Sequence, residues 1–163
     1  MNEKSKTCCF TGHRIIKTEH KEIISQNLLK LITALAETGV CNFIAGGALG
    51  FDTMAANAVI EAREHNSDIN LTLALPCKEQ AKNWNLKNIK EYNNILSLSD
   101  KVIYVSDNYY SGCMQKRNRY MIDNSIHCIF YMTSPRGGTA YTIKYAISSE
   151  TNLHNVITGI ANI

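Results

Sequence analysis

Where glycine falls at the ends of short apolar runs constrains this chain more than any other feature. Three stretches show it: Cys9-Phe10-Thr11-Gly12-His13-Arg14, Ala45-Gly46-Gly47-Ala48-Leu49-Gly50-Phe51-Asp52, and Ser134-Pro135-Arg136-Gly137-Gly138-Thr139. Each follows a strand-like apolar run, and the second and third open directly into helical patterns. Glycine lets the backbone come close to a ligand, and a helix N-terminus offers unpaired N–H groups and partial positive charge. Repeated at three strand ends, the arrangement predicts an open α/β sheet with a pocket for a phosphate-bearing ligand at the carboxyl ends of its strands.

The rest of the chain alternates in the same way. Strands are expected at 6–11, 40–45, 70–75, 101–106, 126–133 and 155–160. Helices are expected at 18–37, 51–65, 79–98, 114–124 and 139–149. The 51–65 segment is the clearest helix, with Phe51, Met54, Ala55, Ala58, Val59 and Ala62 at three-to-four spacing. Strands alternating with helices of this length imply parallel βαβ units. No linker, repeat or low-complexity tract interrupts them. The expected architecture is one doubly wound, Rossmann-like α/β domain over residues 1–163 with a mainly parallel sheet.

Composition narrows the partners. The chain has 163 residues, 45% hydrophobic and 19% charged, with a net charge of +3. That describes a globular domain with ample core and too mild a charge for a dedicated duplex-DNA binder, so nucleic acid is not the expected partner. Four of the five arginines (Arg14, Arg117, Arg119, Arg136) fall in or beside the motif segments, and the planar guanidinium suits phosphate. No apolar run approaches the length of a membrane span, and the polar Met1–Lys6 segment lacks a signal-peptide core. Six cysteines without CxxC spacing read as reduced, buried small residues of a cytoplasmic protein. The five histidines show no metal-ligand spacing, so neither a metal nor a resident cofactor is expected.

The ligand-binding candidates follow from the motifs. Thr11, Gly12, His13 and Arg14 lie at the first strand end, with Arg14 as a phosphate clamp. Gly46, Gly47, Ala48 and Gly50 shape the turn beneath a phosphate. Asp52 serves either ribose hydroxyls or the helix dipole. Gly137, Gly138 and Thr139 offer donors to a second phosphate. Pro76 ends the third strand. Arg117 and Arg119, two apart on a helix, point different ways, and Arg117 is preferred as the one reaching the ligand. Tyr109 and Tyr110 sit in a loop where an aromatic ring can stack on a base or simply pack. His13 and Cys77 lack a partner that marks an acid or a nucleophile, and no catalytic residue is assigned.

In order and spacing, these motifs resemble the SLOG superfamily, which includes DprA, the LOG-type phosphoribohydrolases and the YpsA-like proteins. The YpsA-like branch matches best: Phe10-Thr11-Gly12-His13-Arg14, Gly46-Gly47-Ala48-Leu49-Gly50-Phe51-Asp52 and Ala74-Leu75-Pro76-Cys77, then Lys116-Arg117-Asn118-Arg119-Tyr120-Met121-Ile122-Asp123 and Gly137-Gly138-Thr139. The resemblance implies a fold that binds nucleotides or NAD-derived molecules such as ADP-ribose, often as a sensor. LOG enzymes carry a glutamate three residues after their Gly-Thr, and that position here is Thr142. DprA shares an Arg-Asn-Arg segment but adds further domains and a strongly basic surface.

The leading expectation is therefore a binder of an ADP-ribose-like or NAD-derived nucleotide, linear or cyclic. A single domain without a fused effector acts by holding, releasing or sequestering its ligand, as a sensor or as a sponge for nucleotide immune signals. The alternative is a LOG-type nucleotide N-glycosidase or phosphoribohydrolase, with Asp52, Asp123 or Glu79 as the carboxylate beside the ribose. A third reading is single-stranded nucleic-acid binding like that of DprA. A homo-oligomer is expected in each case.

Overall fold

The computed structural model describes residues 3–161. It contains six strands, β1 (Thr7–Gly12), β2 (Asn42–Ala45), β3 (Asn70–Leu75), β4 (Lys101–Tyr104), β5 (His127–Tyr131) and β6 (Asn152–Asn155). The five helices are α1 (Lys21–Glu37), α2 (Phe51–His65), α3 (Leu86–Leu98), α4 (Cys113–Asp123) and α5 (Gly138–Ser148). All five strand pairings are parallel, in the order β4-β3-β2-β1-β5-β6. The expected α/β architecture is thus present, and the sheet is parallel throughout.

Residue size sorts the helices between the two faces. The chain steps outward from β1 to β4 through α1, α2 and α3, and these pack Ile24, Leu28, Leu31, Leu35, Phe51, Val59 and Ile95 against Phe10, Phe43, Leu71 and Leu73. Phe10 and Phe43 stack with ring centroids 6.1 Å apart. From β4 the chain crosses back to the far side of β1, and α4 and α5 cover the opposite face. There the layer is thinner, built from Cys9, Ile44, Ala74 and Cys128 beneath Met121, Ile122 and Ala146. Each large side chain fully buried in the first layer contributes about 1.5–3 kcal/mol. Reversal of strand order between β1 and β5 leaves a crevice at their carboxyl ends.

Several boundaries differ from expectation for identifiable reasons. The 79–98 segment becomes helical only at Leu86, because the Asn85 side chain accepts from the Asn88 backbone N–H at 2.9 Å and caps the helix there. The 18–37 segment starts as a 3₁₀ turn, Thr18–His20, before α1. The last strand lies at Asn152–Asn155, not 155–160. Glu150 takes a left-handed conformation with φ 56°, and Asn152 N–H then donates to Ile126 O at 2.8 Å and opens the pairing with β5 early. Strands four and five end at Tyr104 and Tyr131, short of 106 and 133. All six cysteines are free thiols, five of them buried. No helix among the described residues is long and apolar enough to cross a membrane.

Candidate functional site

A cleft of about 270 Å³ occupies the crevice beside β1 and β5. Its first wall is the end of β1 and the loop after it. Gly12 has no side chain for a physical reason: a Cβ there would run into the Phe51 ring. Phe51 in turn stacks on Tyr131, at 6.0 Å between centroids. The Tyr131 hydroxyl lies 2.9 Å from His20 Nδ1, and its ring meets His13 edge-on. His13 Nε2 accepts from Thr133 N–H at 2.9 Å, which places its proton on Nδ1. This scaffold fixes the loop and leaves Arg14 at the surface beside the cleft.

The floor is the turn that leads into α2. Gly50, with φ 78°, sits where any Cβ would strike the Arg14 carbonyl, and Phe51 N–H donates to His13 O at 3.1 Å, tying the two loops together. Asp52 is 6% exposed; its Oδ2 accepts from Ala48 N–H at 3.2 Å and lies 3.9 Å from Arg117 Nη1. Arg117, 4% exposed, donates to the carbonyl oxygens of Gly46 and Ala74. Burial pushes the Asp52 carboxyl up, against the pull of the Arg117 guanidinium, and pushes Arg117 down from its ordinary value.

The far wall is the start of α5 with the inner side of α4. Gly137 (φ 89°) provides no side-chain cap, and the first intrahelical bond runs from Tyr141 N–H to Gly137 O. The N–H groups of Gly138, Thr139 and Ala140 therefore point out of the helix end without a helical acceptor. Thr139, 7% exposed, and Thr11, 5% exposed, both line the cleft, and neither hydroxyl has a partner among the described residues.

Of the residues singled out from sequence, Thr11, Gly12, His13, Arg14, Ala48, Asp52, Arg117, Gly138 and Thr139 line this one cleft. Gly46, Gly47, Gly50, Pro76 and Gly137 do not. They form the turns behind it, with Gly47 wedged against Leu75, Gln80 and Tyr92 and its carbonyl held by Gln80 Nε2 at 2.6 Å. Arg119 points away, against the rings of Tyr141 and Tyr145 on the surface. Tyr109 and Tyr110 are exposed in the loop before α4, and Cys77 is buried behind β3. Phe10, Met114, Asn118 and Met121 also line the cleft and were missed. Asn118 had a readable signal, because Met114, Arg117, Asn118 and Met121 fall at the spacing of one helix face.

Residues 8–161 match the model of the YspA SLOG family. The chain belongs to that family. Among its relatives, the SPbeta prophage-derived protein YoqJ of Bacillus subtilis is 32% identical over 116 residues, 64% of this chain and 68% of the relative. A UPF0398 protein of Halalkalibacterium halodurans is 29% identical over 151 residues, 86% and 80% of the two chains. Among solved structures, DNA processing protein A of Streptococcus pneumoniae superposes with a TM-score of 0.69 at 15% identity, over 94% of this chain and 50% of that one. The Helicobacter pylori protein, whose structure concerns single-stranded DNA binding, gives 0.66 at 18%, over 94% and 66%. The family member described here thus spans half to two-thirds of the DprA chains it resembles, and at these identities the likeness is one of fold.

Proposed function

We propose that this YspA-family protein is a nucleotide binder whose cleft takes a small ADP-ribose-like or NAD-derived ligand, cyclic forms included, and that it acts by holding that ligand. The observation that carries the reading is the open start of α5 facing, across one cleft, the end of β1, with the hydroxyls of Thr11 and Thr139 on opposite sides and held by no protein group among the described residues. A bound phosphate and its ribose would engage both hydroxyls together with the free N–H groups at the start of α5. Among charged lining groups, Arg14 and Arg117 outnumber the one carboxylate, Asp52, and Arg14 has no ion-pair partner among the described residues.

Holding is favoured over turnover by the state of that carboxylate. Asp52 is occupied by Ala48 N–H and faces Arg117. Thr142, at the position of the LOG glutamate, is itself committed to Asn118 and Gly138. A prophage-derived relative supports sequestering a signalling nucleotide as the purpose. Free thiols fit a reducing cytoplasm. The exposed Val102 and Tyr104 on the outer strand β4, with Leu98 at the end of α3 beside it, fit a homo-oligomer.

The test is native mass spectrometry of the purified protein with ADP-ribose, cyclic ADP-ribose isomers, NAD and AMP. Ligand retained and released intact supports a binder and names its class. Free base or ribose phosphate among the products makes the protein a glycosidase. Single-stranded DNA bound with steeply salt-dependent affinity, and no small ligand, transfers the DprA reading to this chain.

A further inference from the structure

A continuous polar chain runs beneath the cleft from one glycine turn to the other, through α4. It starts at Ala48, whose N–H is held by Asp52 Oδ2 at 3.2 Å. Asp52 faces Arg117 Nη1, which also holds Gly46 O. Arg117 Nε donates to Asn118 Oδ1 at 2.8 Å. Asn118 Nδ2 donates to Thr142 Oγ1 at 2.9 Å, and the Thr142 hydroxyl donates to Gly138 O at 2.9 Å. From Gly46 O to Gly138 O every link is a hydrogen bond, while Asp52 joins Arg117 as an ion pair at 3.9 Å. Arg117 is 4% exposed and Thr142 1%, with Asn118 between them half-buried at the cleft.

The bonding leaves little slack. Asn118 has one amide, and its oxygen and nitrogen are each committed to a different neighbour, so the Arg117 bond fixes which way the amide faces Thr142. Arg117 is equally constrained. Gly46 leaves no room for a Cβ because the guanidinium fills that space, so any tilt of Arg117 moves the Gly46 carbonyl. Chains of this kind polarise and orient one another in a low-dielectric interior.

We propose that this chain couples the Gly46–Ala48 and Gly137–Thr139 turns, so that ordering of one by a bound phosphate tightens the other. Asn118 and Thr142 are its positioning residues. Thr142 does not line the cleft and acts only through the chain. Arg117 joins the turns rather than clamping phosphate, which leaves Arg14 as the arginine free to meet the ligand.

The experiment compares wild type, Thr142→Val and Thr142→Ser by backbone hydrogen exchange without ligand, then by calorimetric titration with ADP-ribose. Valine keeps the shape and removes the hydroxyl; serine restores it. The expected result is that valine speeds exchange at residues 46–50, across the cleft from the mutation, by about fivefold, the factor one neutral hydrogen bond carries. Serine returns it to the wild-type rate, and ADP-ribose affinity follows the same order. Faster exchange confined to 138–142, or no change at 46–50, overturns the coupling. The affinity arm rests on the proposed function and the exchange arm does not: a remote exchange response with no ADP-ribose binding upholds the coupling and defeats that ligand assignment. Should the valine variant fail to fold, Asn118→Ala is read by the same criterion.

Discussion

The two faces of the sheet are built from different materials. Under α1, α2 and α3 the layer is hydrocarbon, with Phe10, Phe43, Leu71 and Leu73 closed beneath Ile24, Leu28, Leu31 and Phe51. Under α4 and α5 the residues are short, Cys9, Ala74, Cys128 and Ala146, and the space they leave lets the Arg117 and Asn118 side chains reach across toward α2 and α5. The first layer depends on volume and the second on direction. Strand β1 serves both at once: alternation sends Cys8 and Phe10 to the dry face, Cys9 and Thr11 to the other. Changes to the dry layer and changes to the cleft are therefore expected to be separable by mutation.

The strongest way to break that separation is Phe43→Ala. Phe43 is fully buried and stacked on Phe10, so its loss costs about 3–5 kcal/mol. For a domain of this size each kcal/mol lowers Tm by about 2–4 °C. Thermal unfolding should show the full drop while ADP-ribose affinity, measured well below the new Tm, stays at the wild-type value. An affinity that falls with Tm means the layers are one unit.

The converse is Gly138→Asp. A Cβ at Gly138 meets nothing within 4 Å, and a carboxylate in the first turn complements the helix dipole by about 0.3–1 kcal/mol. The fold is kept, and charge repulsion at the cleft wall removes binding of a phosphate-bearing ligand by more than about tenfold, 1.4 kcal/mol in free energy. Calorimetry beside a melting curve checks both halves. Undiminished binding would move the phosphate away from α5.

What was legible follows the same division. Hydrophobic periodicity marks each element that buries a face, so Phe51–His65 was placed to the residue. The start of α3 was misplaced because its signal is one side-chain hydrogen bond from Asn85, hidden in an asparagine-rich stretch. The last strand was misplaced because Asn152-Leu153-His154-Asn155 is mostly polar, whereas Val156 and Ile157 imitate a strand. Strand β6 is assigned by its pairing with β5, which no local pattern encodes. Glycine motifs mark the turns around the cleft, but not which glycines line it. That Arg117 and Arg119 diverge is helix geometry. That Arg117 is spent on Gly46 and Asp52 is tertiary, as is the bond between Asn118 and Thr142.

A smaller effect is expected at the β5–β6 edge. His127 Nδ1 and His154 Nε2 lie 3.0 Å apart, both buried. Burial lowers both from the ordinary value of 6.5, and His127 beside it helps hold His154 at about 4. The folded pair stays neutral while the unfolded chain takes up protons below about 6.5, so stability is intact above that pH and is lost progressively as pH falls toward 4. Melting curves from pH 7.5 to 4.5 should show a steeper decline for wild type than for His154→Gln. Parallel declines would remove the pair from the account.

The smallest effect belongs to Arg119, which sits on the same helix as Arg117, two residues away. A step of two turns an α-helix by about 200°, so the pair divides between interior and surface. Arg119 bonds the Tyr141 hydroxyl and lies 5.4 and 5.5 Å from the Tyr141 and Tyr145 ring centroids, in contact with water. Arg119→Ala should shift Tm by no more than about 3 °C, the scale of a surface substitution in a domain of this size, and leave ADP-ribose affinity within twofold. Arg117→Lys keeps the charge, yet lysine lacks the fork that serves the Gly46 carbonyl and Asn118 together, so affinity falls although the formal charge is unchanged. If Arg119→Ala weakens ADP-ribose binding as much as Arg117→Lys does, the ligand reaches the outer surface of α4 and the cleft has been drawn too narrowly.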